Sequence, residues 1–237
     1  MKCLLSVCLV TLLAAAIVHV VEQSVDASQQ PAQVLQKGVS VKMAGANNAQ
    51  PMPEADNADA WILTVTAEGQ LYFGIDPVTP AALQQRMIRT PRKRSQRLYI
   101  KADARASFAS VQRALNAAST AEFASPVLLV NQEGTVPSGM IVSPKGLEII
   151  MDGVANSGAK SVVEVSYSAQ GTPTVKLDDQ EIPFADLHSR LSQLAQSRKE
   201  KTILLRADGR SAFGDVAQVI DACRSAGVAV VVATPVV

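Results

Sequence analysis

The chain has 237 residues, 22 of them basic and 21 acidic, for a formal net charge of +1. That balance gives no global field for nucleic acid, and five Phe, three Tyr and one Trp leave few platforms on which a single strand could stack. The length suits two domains of about 100 residues each, preceded by a leader.

Residues 3–21 are apolar apart from Ser6, Thr11 and His19. As a helix this run spans about 28 Å, close to the hydrocarbon thickness of a bilayer. Lys2 ahead of it, with Glu22 and Asp26 behind, favours an inside amino terminus and export of everything that follows. Val25-Asp26-Ala27 also offers small residues where a secretory signal could be cut. The run exceeds the usual signal core of about 7 to 15 residues, which favours an uncleaved anchor over a cleaved signal. His19 is its one ionisable group, a tolerated polar residue near the interface before it is a functional one.

Beyond a polar linker over residues 23–36, Val39, Val41 and Met43 alternate as a short strand. Residues 45–59, with Asn47-Asn48, Pro51 and Pro53, read as a loop. Trp61, Leu63 and Val65 alternate, Glu68-Gly69 turns, and Leu71, Phe73 and Ile75 alternate again, which predicts a hairpin. Thr79-Pro80 carries the signature of a helix start, cap then first-turn proline, ahead of Leu83 and Met87. Residues 89–97 hold five basic side chains, more often a solvated loop than a site for an anionic polymer.

Leu98, Ile100 and Ala102 then alternate with polar or amphipathic neighbours, predicting a strand covered on one face. From here the chain repeats itself. Asp103 falls on Asp208, Arg105 on Arg210, Phe108 on Phe213, Val111 on Val216 and Ala117 on Ala222, always 105 residues apart and without a gap. So long a spacing marks a duplicated domain, since solenoid units run to about 20 to 50 residues. In each copy the strand is followed by a helical stripe, Phe108, Val111, Leu115 and Ala118 or Phe213, Val216, Ile220 and Cys223. A short apolar strand closes each unit, at residues 127–130 and 228–232, so the crossovers predict parallel neighbours.

Between the copies, Pro137, Gly139 and Pro144 punctuate a linker, and residues 147–151 resume as a strand. Val163, Val165 and Tyr167 alternate, Gln170-Gly171 turns, and Leu187, Leu191 and Leu194 supply another helical stripe. The fold class expected is therefore α/β (α+β): two tandem small domains, each a mixed sheet with two helices, after one amino-terminal membrane helix. The boundaries fall at 1–22 for the anchor or signal, 23–36 for the linker, 37–132 for the first domain, 133–146 for a second linker and 147–237 for the second domain. Joined in one chain, the two domains are expected to pack like a pseudo-symmetric dimer.

Reactive constellations are scarce. His188 is the one histidine outside the apolar run, and no Ser-His-Asp or Cys-His arrangement can be assembled without it. No paired-cysteine, His-Glu-x-x-His, Walker or Gly-x-Gly-x-x-Gly pattern is present, so neither metal nor cofactor is expected and the sequence argues against an enzyme. Cys223 lies on the apolar stripe and reads as a small buried side chain. The repeated Asp103, Arg105, Asp208 and Arg210 read first as turn chemistry at a strand-to-helix corner, and second as a docking corner for a peptide or glycan.

Residues 204–228 and 98–121, together with residues 65–74 and 37–43, resemble the ExbD/TolR family of bacterial envelope proteins. The resemblance implies a single-pass inner-membrane protein with its bulk in the periplasm, an accessory of proton-motive-force-coupled biopolymer transport. The implied partners are an ExbB/TolQ-like membrane protein, a TonB/TolA-like protein, peptidoglycan and a homo-oligomeric copy. The family carries an Asp in its membrane helix as the proton-bearing group, and residues 3–21 contain no Asp or Glu. No residue here inherits that role. The alternative reading is a secreted or anchored periplasmic binding module without motor function.

Overall fold

The computed structural model describes residues 38–91, 96–120, 123, 125–132, 143–151, 161–168, 171–198 and 201–233. The apolar run, the polar linker after it, and the greater part of the link between the copies lie outside these residues. Among the described residues no helix is long and apolar enough to cross a membrane. Both copies belong to one compact unit, so their mutual contacts are part of a single packed body.

The first copy opens with two short strands, β1 (Gly45–Ala46) and β2 (Gln50–Pro51), and a 3-10 turn at Pro53–Asp56. The predicted hairpin forms from β3 (Trp61–Val65) and β4 (Leu71–Phe73), turning at Gly69, whose φ of +80° is open to glycine at little cost. A third strand, β5 (Asp76–Val78), follows where alternation alone extended β4 to Ile75. Helix α1 (Pro80–Arg89) starts as its sequence demands, with Thr79 Oγ1 accepting from Ala82 N at 3.2 Å and Leu83 and Met87 buried. Next come β6 (Leu98–Ala102), α2 (Phe108–Thr120) and β7 (Val127–Gln132).

The second copy repeats the plan. Strand β8 (Lys145–Glu148) and β9 (Ile150–Met151) precede the hairpin of β10 (Ser161–Tyr167) and β11 (Pro173–Leu177). Asp178 and Asp179, at φ 50° and 67°, make the two-residue turn into β12 (Gln180–Ile182), a backbone shape that suits the twist of a hairpin. Helix α3 (Leu187–Arg198), β13 (Thr202–Ala207), α4 (Phe213–Ser225) and β14 (Ala229–Val232) complete it.

Two mixed sheets result. The first has the order β2-β8-β7-β6-β3-β4-β5, with β1 also paired to β7, and the second the order β12-β11-β10-β13-β14-β9. In each, the crossover strands run parallel, β3 beside β6 beside β7 and β10 beside β13 beside β14. Strand β8, at the start of the second copy, pairs antiparallel with β7 of the first, Leu147 opposite Leu128. The predicted strand at Val39–Met43 reduces to one bridge, Met43 with Asp103.

The helices pack on the inner faces of both sheets in one continuous core. Phe108, Val111, Leu115, Phe213, Val216, Ile220 and Cys223 are all at most 1 % exposed, each large side chain contributing about 1.5 to 3 kcal/mol of transfer free energy. Strand β6 departs from expectation because all five of its residues are buried. Leu98, Ile100 and Ala102 face the main core, whereas Tyr99 joins Met43, Met52, Ala55, Ile62, Val127 and Leu129 in a second cluster on the outer face. The cover is the stretch read from sequence as a loop. Its Pro and Asn residues prevent long ladders, yet its Met and Ala residues still seal a sheet face. The second sheet keeps the expected alternation, buried and half-buried in turn along β10.

Candidate functional site

The repeated aspartates sit where β6 and β13 end. Asp103 Oδ1 accepts from the Arg105 backbone N–H at 3.0 Å and from Arg105 Nε at 2.9 Å, and Oδ2 accepts from Nη2 at 3.0 Å. Asp208 holds Arg210 the same way, at 2.8, 3.3 and 2.8 Å. Each carboxylate closes a turn whose aspartate N–H and C=O are also engaged: Asp103 N donates to Val65 O and Ala106 N to Asp103 O, and Asp208 N donates to Val165 O and Ser211 N to Asp208 O. The guanidinium hydrogen bonds are the main reason that both carboxyls are pulled down to about 2, against the opposing effect of burial; the Arg backbone N–H adds to the lowering in each, and at Asp103 the Lys42 N–H does too. Arg105 and Arg210 themselves lie largely in solvent, with side chains 69 % and 83 % exposed.

These corners meet. Phe108 N donates to Ser211 O at 2.7 Å and Phe213 N to Ala106 O at 2.8 Å; Ala109 N donates to Gly209 O at 2.9 Å and Gly214 N to Ala104 O at 2.8 Å. Every reciprocal pair is related by the 105-residue shift, and Ser107 bridges Ala212 at the centre. This is a pseudo-twofold interface of the isologous kind. It also disposes of the first N–H groups of α2 and α4, which would otherwise lack intrahelical partners. Small residues make the approach feasible: a Cβ on Gly209 would stand 3.1 Å from Ala109 Cβ, and one on Gly214 would stand 3.2 Å from Ala104 O.

A second tie crosses between the copies away from the axis. Asp221 on α4, 7 % exposed, accepts from Asn47 N at 3.0 Å, Asn48 N at 2.8 Å and Asn48 Nδ2 at 3.0 Å. The stretch that seals the first sheet is thereby strapped to the helix of the second. Sequence reasoning missed this clamp, since its partners lie more than 170 positions apart and Asn47-Asn48 resembles ordinary turn chemistry.

His188 finds a hydroxyl that the sequence did not reveal, Ser225 Oγ at 2.6 Å from Nδ1. Ser225 Oγ also donates to Ala222 O at 2.9 Å. With the hydroxyl proton on that carbonyl, Nδ1 is the donor to Oγ, the reverse of a base that activates a nucleophile. Cys223 is fully buried, and burial pushes its thiol up to about 12. An open cleft of about 490 Å³ is lined by Glu54, Asp59, Arg97, Tyr99 and Glu148, but its polar groups engage one another: Arg97 with Glu148, Tyr99 with Glu54, Gln96 with Asp59 O. Among the described residues, no group of three or more His, Cys, Asp or Glu could hold a metal ion. Arg89 and Arg97 flank the basic loop, whose central residues lie outside those described, as does His19.

Among the described residues, the polar side chains of this duplicated mixed α/β domain chiefly tie its own segments together. The family model for biopolymer transport protein ExbD/TolR matches residues 4–133 and 141–235, and the chain belongs to that family. No curated protein matches it. Membership makes this chain, in general terms, an accessory protein of biopolymer transport.

Proposed function

We propose that the chain is an accessory component of an energised envelope transport system, anchored in the inner membrane by residues 3–21 with both α/β domains in the periplasm. The observation that carries the reading is the family match, which takes in both copies and nearly all of the apolar run. In this role the chain works beside an ExbB/TolQ-like membrane subunit and engages a TonB/TolA-like protein or peptidoglycan. Of the two corners, the one at Asp208 and Arg210 receives a partner, while the one at Asp103 and Arg105 is occupied by the chain's own Lys42 and Met43. With no acidic residue in residues 3–21, the proton-bearing carboxylate of such a motor comes from the partner subunit. The fused domains supply the dimeric periplasmic unit from a single chain.

Co-expression with an ExbB-like subunit from the same host, followed by purification in detergent and flux measurement in proteoliposomes, tests this. A stable complex whose activity survives His19→Ala supports the partner-supplied carboxylate. A chain recovered from the soluble periplasm with its mass starting near Ser28 refutes the motor role. The missing acidic residue favours one second reading, an envelope binding module that has lost the motor, for which retention on purified peptidoglycan without an ExbB-like complex is the expected result.

A further inference from the structure

The two copies share their corner geometry but not what lies on it. In the first copy an extended stretch docks on the corner: Lys42 N donates to Asp103 Oδ2 at 3.0 Å, Lys42 O accepts from Ala104 N at 2.7 Å, and Met43 bridges Asp103 in antiparallel fashion. Met43 then packs with Ile62 and Tyr99, a cross-strand pair of β3 and β6. Shifted by 105 residues, the receiving atoms are Asp208 Oδ2 and Gly209 N. Among the described residues, Asp208 Oδ2 accepts from Arg210 alone and Gly209 N–H has no acceptor. The residue in register with Lys42 is Leu147, and it is engaged elsewhere, in β8 against β7.

The sheet face beside that corner tells the same story. The cross-strand pair that matches Ile62 and Tyr99 is Val162 and Leu204, and the pair that matches Thr64 and Lys101 is Glu164 and Arg206. In the first copy all four are at most 3 % exposed. In the second, Val162, Leu204 and Glu164 are half-buried and Arg206 is exposed. The face that one copy buries completely is only half-buried in the other.

We infer that the end of β13 and the outer face at Val162 and Leu204 form a docking site for an extended peptide segment of a partner protein. One residue of that segment donates its N–H to Asp208 Oδ2 and accepts from Gly209 N through its C=O, and the next residue lays an apolar side chain on Val162 and Leu204. Backbone hydrogen bonds hold such a strand while the side-chain contact selects it. A second copy of this chain does not fit the role, because its own stretch is already held at Asp103 and Asp221. The inference deepens the reading that this chain receives a protein partner, and it rests on that reading.

The test uses the full chain in detergent and, as probe, a fluorescein-labelled peptide with the sequence of residues 39–45, Val-Ser-Val-Lys-Met-Ala-Gly, whose backbone and methionine satisfy the same geometry in the first copy. Fluorescence anisotropy is read for the wild type, for Val162→Glu and Leu204→Glu, and for a control, Ile88→Glu, at an exposed position on α1. Thermal melts identify any variant that fails to fold. Saturable binding, weakened tenfold or more by either sheet-face variant and unchanged in the control, is expected. Absence of saturable binding overturns the site, and so does equal binding by Leu204→Glu, which would place the peptide elsewhere. Loss of peptide binding in a chain that still co-purifies with its ExbB/TolQ-like subunit discards the docking site alone. Site-dependent peptide binding without that co-purification supports the site and discards only the motor.

Discussion

Asp221→Ala offers the most direct check on how the two copies are tied. The carboxylate accepts three N–H groups from Asn47 and Asn48, and hydrogen bonds to a charged group contribute about 1.5 to 3 kcal/mol each. The simple sum overstates the loss. Both asparagines are exposed, so their released donors can turn to water, whereas Ala44, Ala46 and Ala49 beside them are buried and keep the strap near α4. A destabilisation of about 2 to 4 kcal/mol is expected, which for a folded unit of this size lowers Tm by about 6 to 12 °C. Asp221→Asn, which keeps two heteroatoms but can no longer accept at both, should lose about half as much. Calorimetry supplies the Tm, and a double-mutant cycle with Asn48→Ala isolates the contact, with a coupling of about 1 kcal/mol or more expected. Strict additivity in that cycle, or a loss for Asp221→Ala below about 0.5 kcal/mol, refutes the claim that the strap is held by this carboxylate.

Gly214→Val places branched carbon against Ala104 O at the pseudo-twofold axis and should cost about 1 to 3 kcal/mol in urea unfolding, with the slope of the transition unchanged. Asp103 and Asp208 have folded values of about 2, below the ordinary 3.8, so the stability they contribute is complete above pH 4 and declines as pH falls towards 2. The urea midpoint should therefore drop over that window, and the drop should be smaller in Arg105→Ala and Arg210→Ala; an unchanged profile in both variants refutes the pairing. Buried Cys223 should resist an aromatic disulfide reagent at pH 8 in a chain with Cys3→Ser and Cys8→Ser, and react at once in denaturant; rapid labelling of the native chain contradicts its burial.

Local periodicity made the strands at Trp61, Leu98, Val163 and Leu205 legible, as it did the stripes of α2 and α4, because the inner sheet face and the helix face repeat at fixed intervals. Thr79-Pro80 was legible for a different reason, since capping is decided within four residues. The outer face of the first sheet was not. Whether Tyr99 and Lys101 meet water depends on Met43 to Ala55, and nothing local to β6 records that a stretch some fifty residues earlier folds back over it. Residues 147–151, expected as one strand, divide at Ile149 between β8, which begins at Lys145 and pairs with β7, and β9, which pairs with β14, a choice that depends on edges left free by the two sheets. At the corners the sequence supplied the residues, Asp103 with Arg105 and Asp208 with Arg210, and the equality of the two turns. It could not supply the difference between them, because Lys42 and Leu147 stand in register yet one lies on its corner and the other in a ladder.

The pseudo-twofold contact joins two halves that a peptide chain already links, and this changes how it responds to dilution. A symmetric pair of separate subunits assembles only above its dissociation constant, so its folded fraction follows expression level. Here the second half meets the first at an effective concentration fixed by the covalent link, and the contact forms at any abundance. Fusion also frees the halves from having to be identical. One could acquire a permanent cover while the other stayed bare, so each chain would present a single receptive surface and bind in one-to-one ratio, where a true homodimer would have offered two.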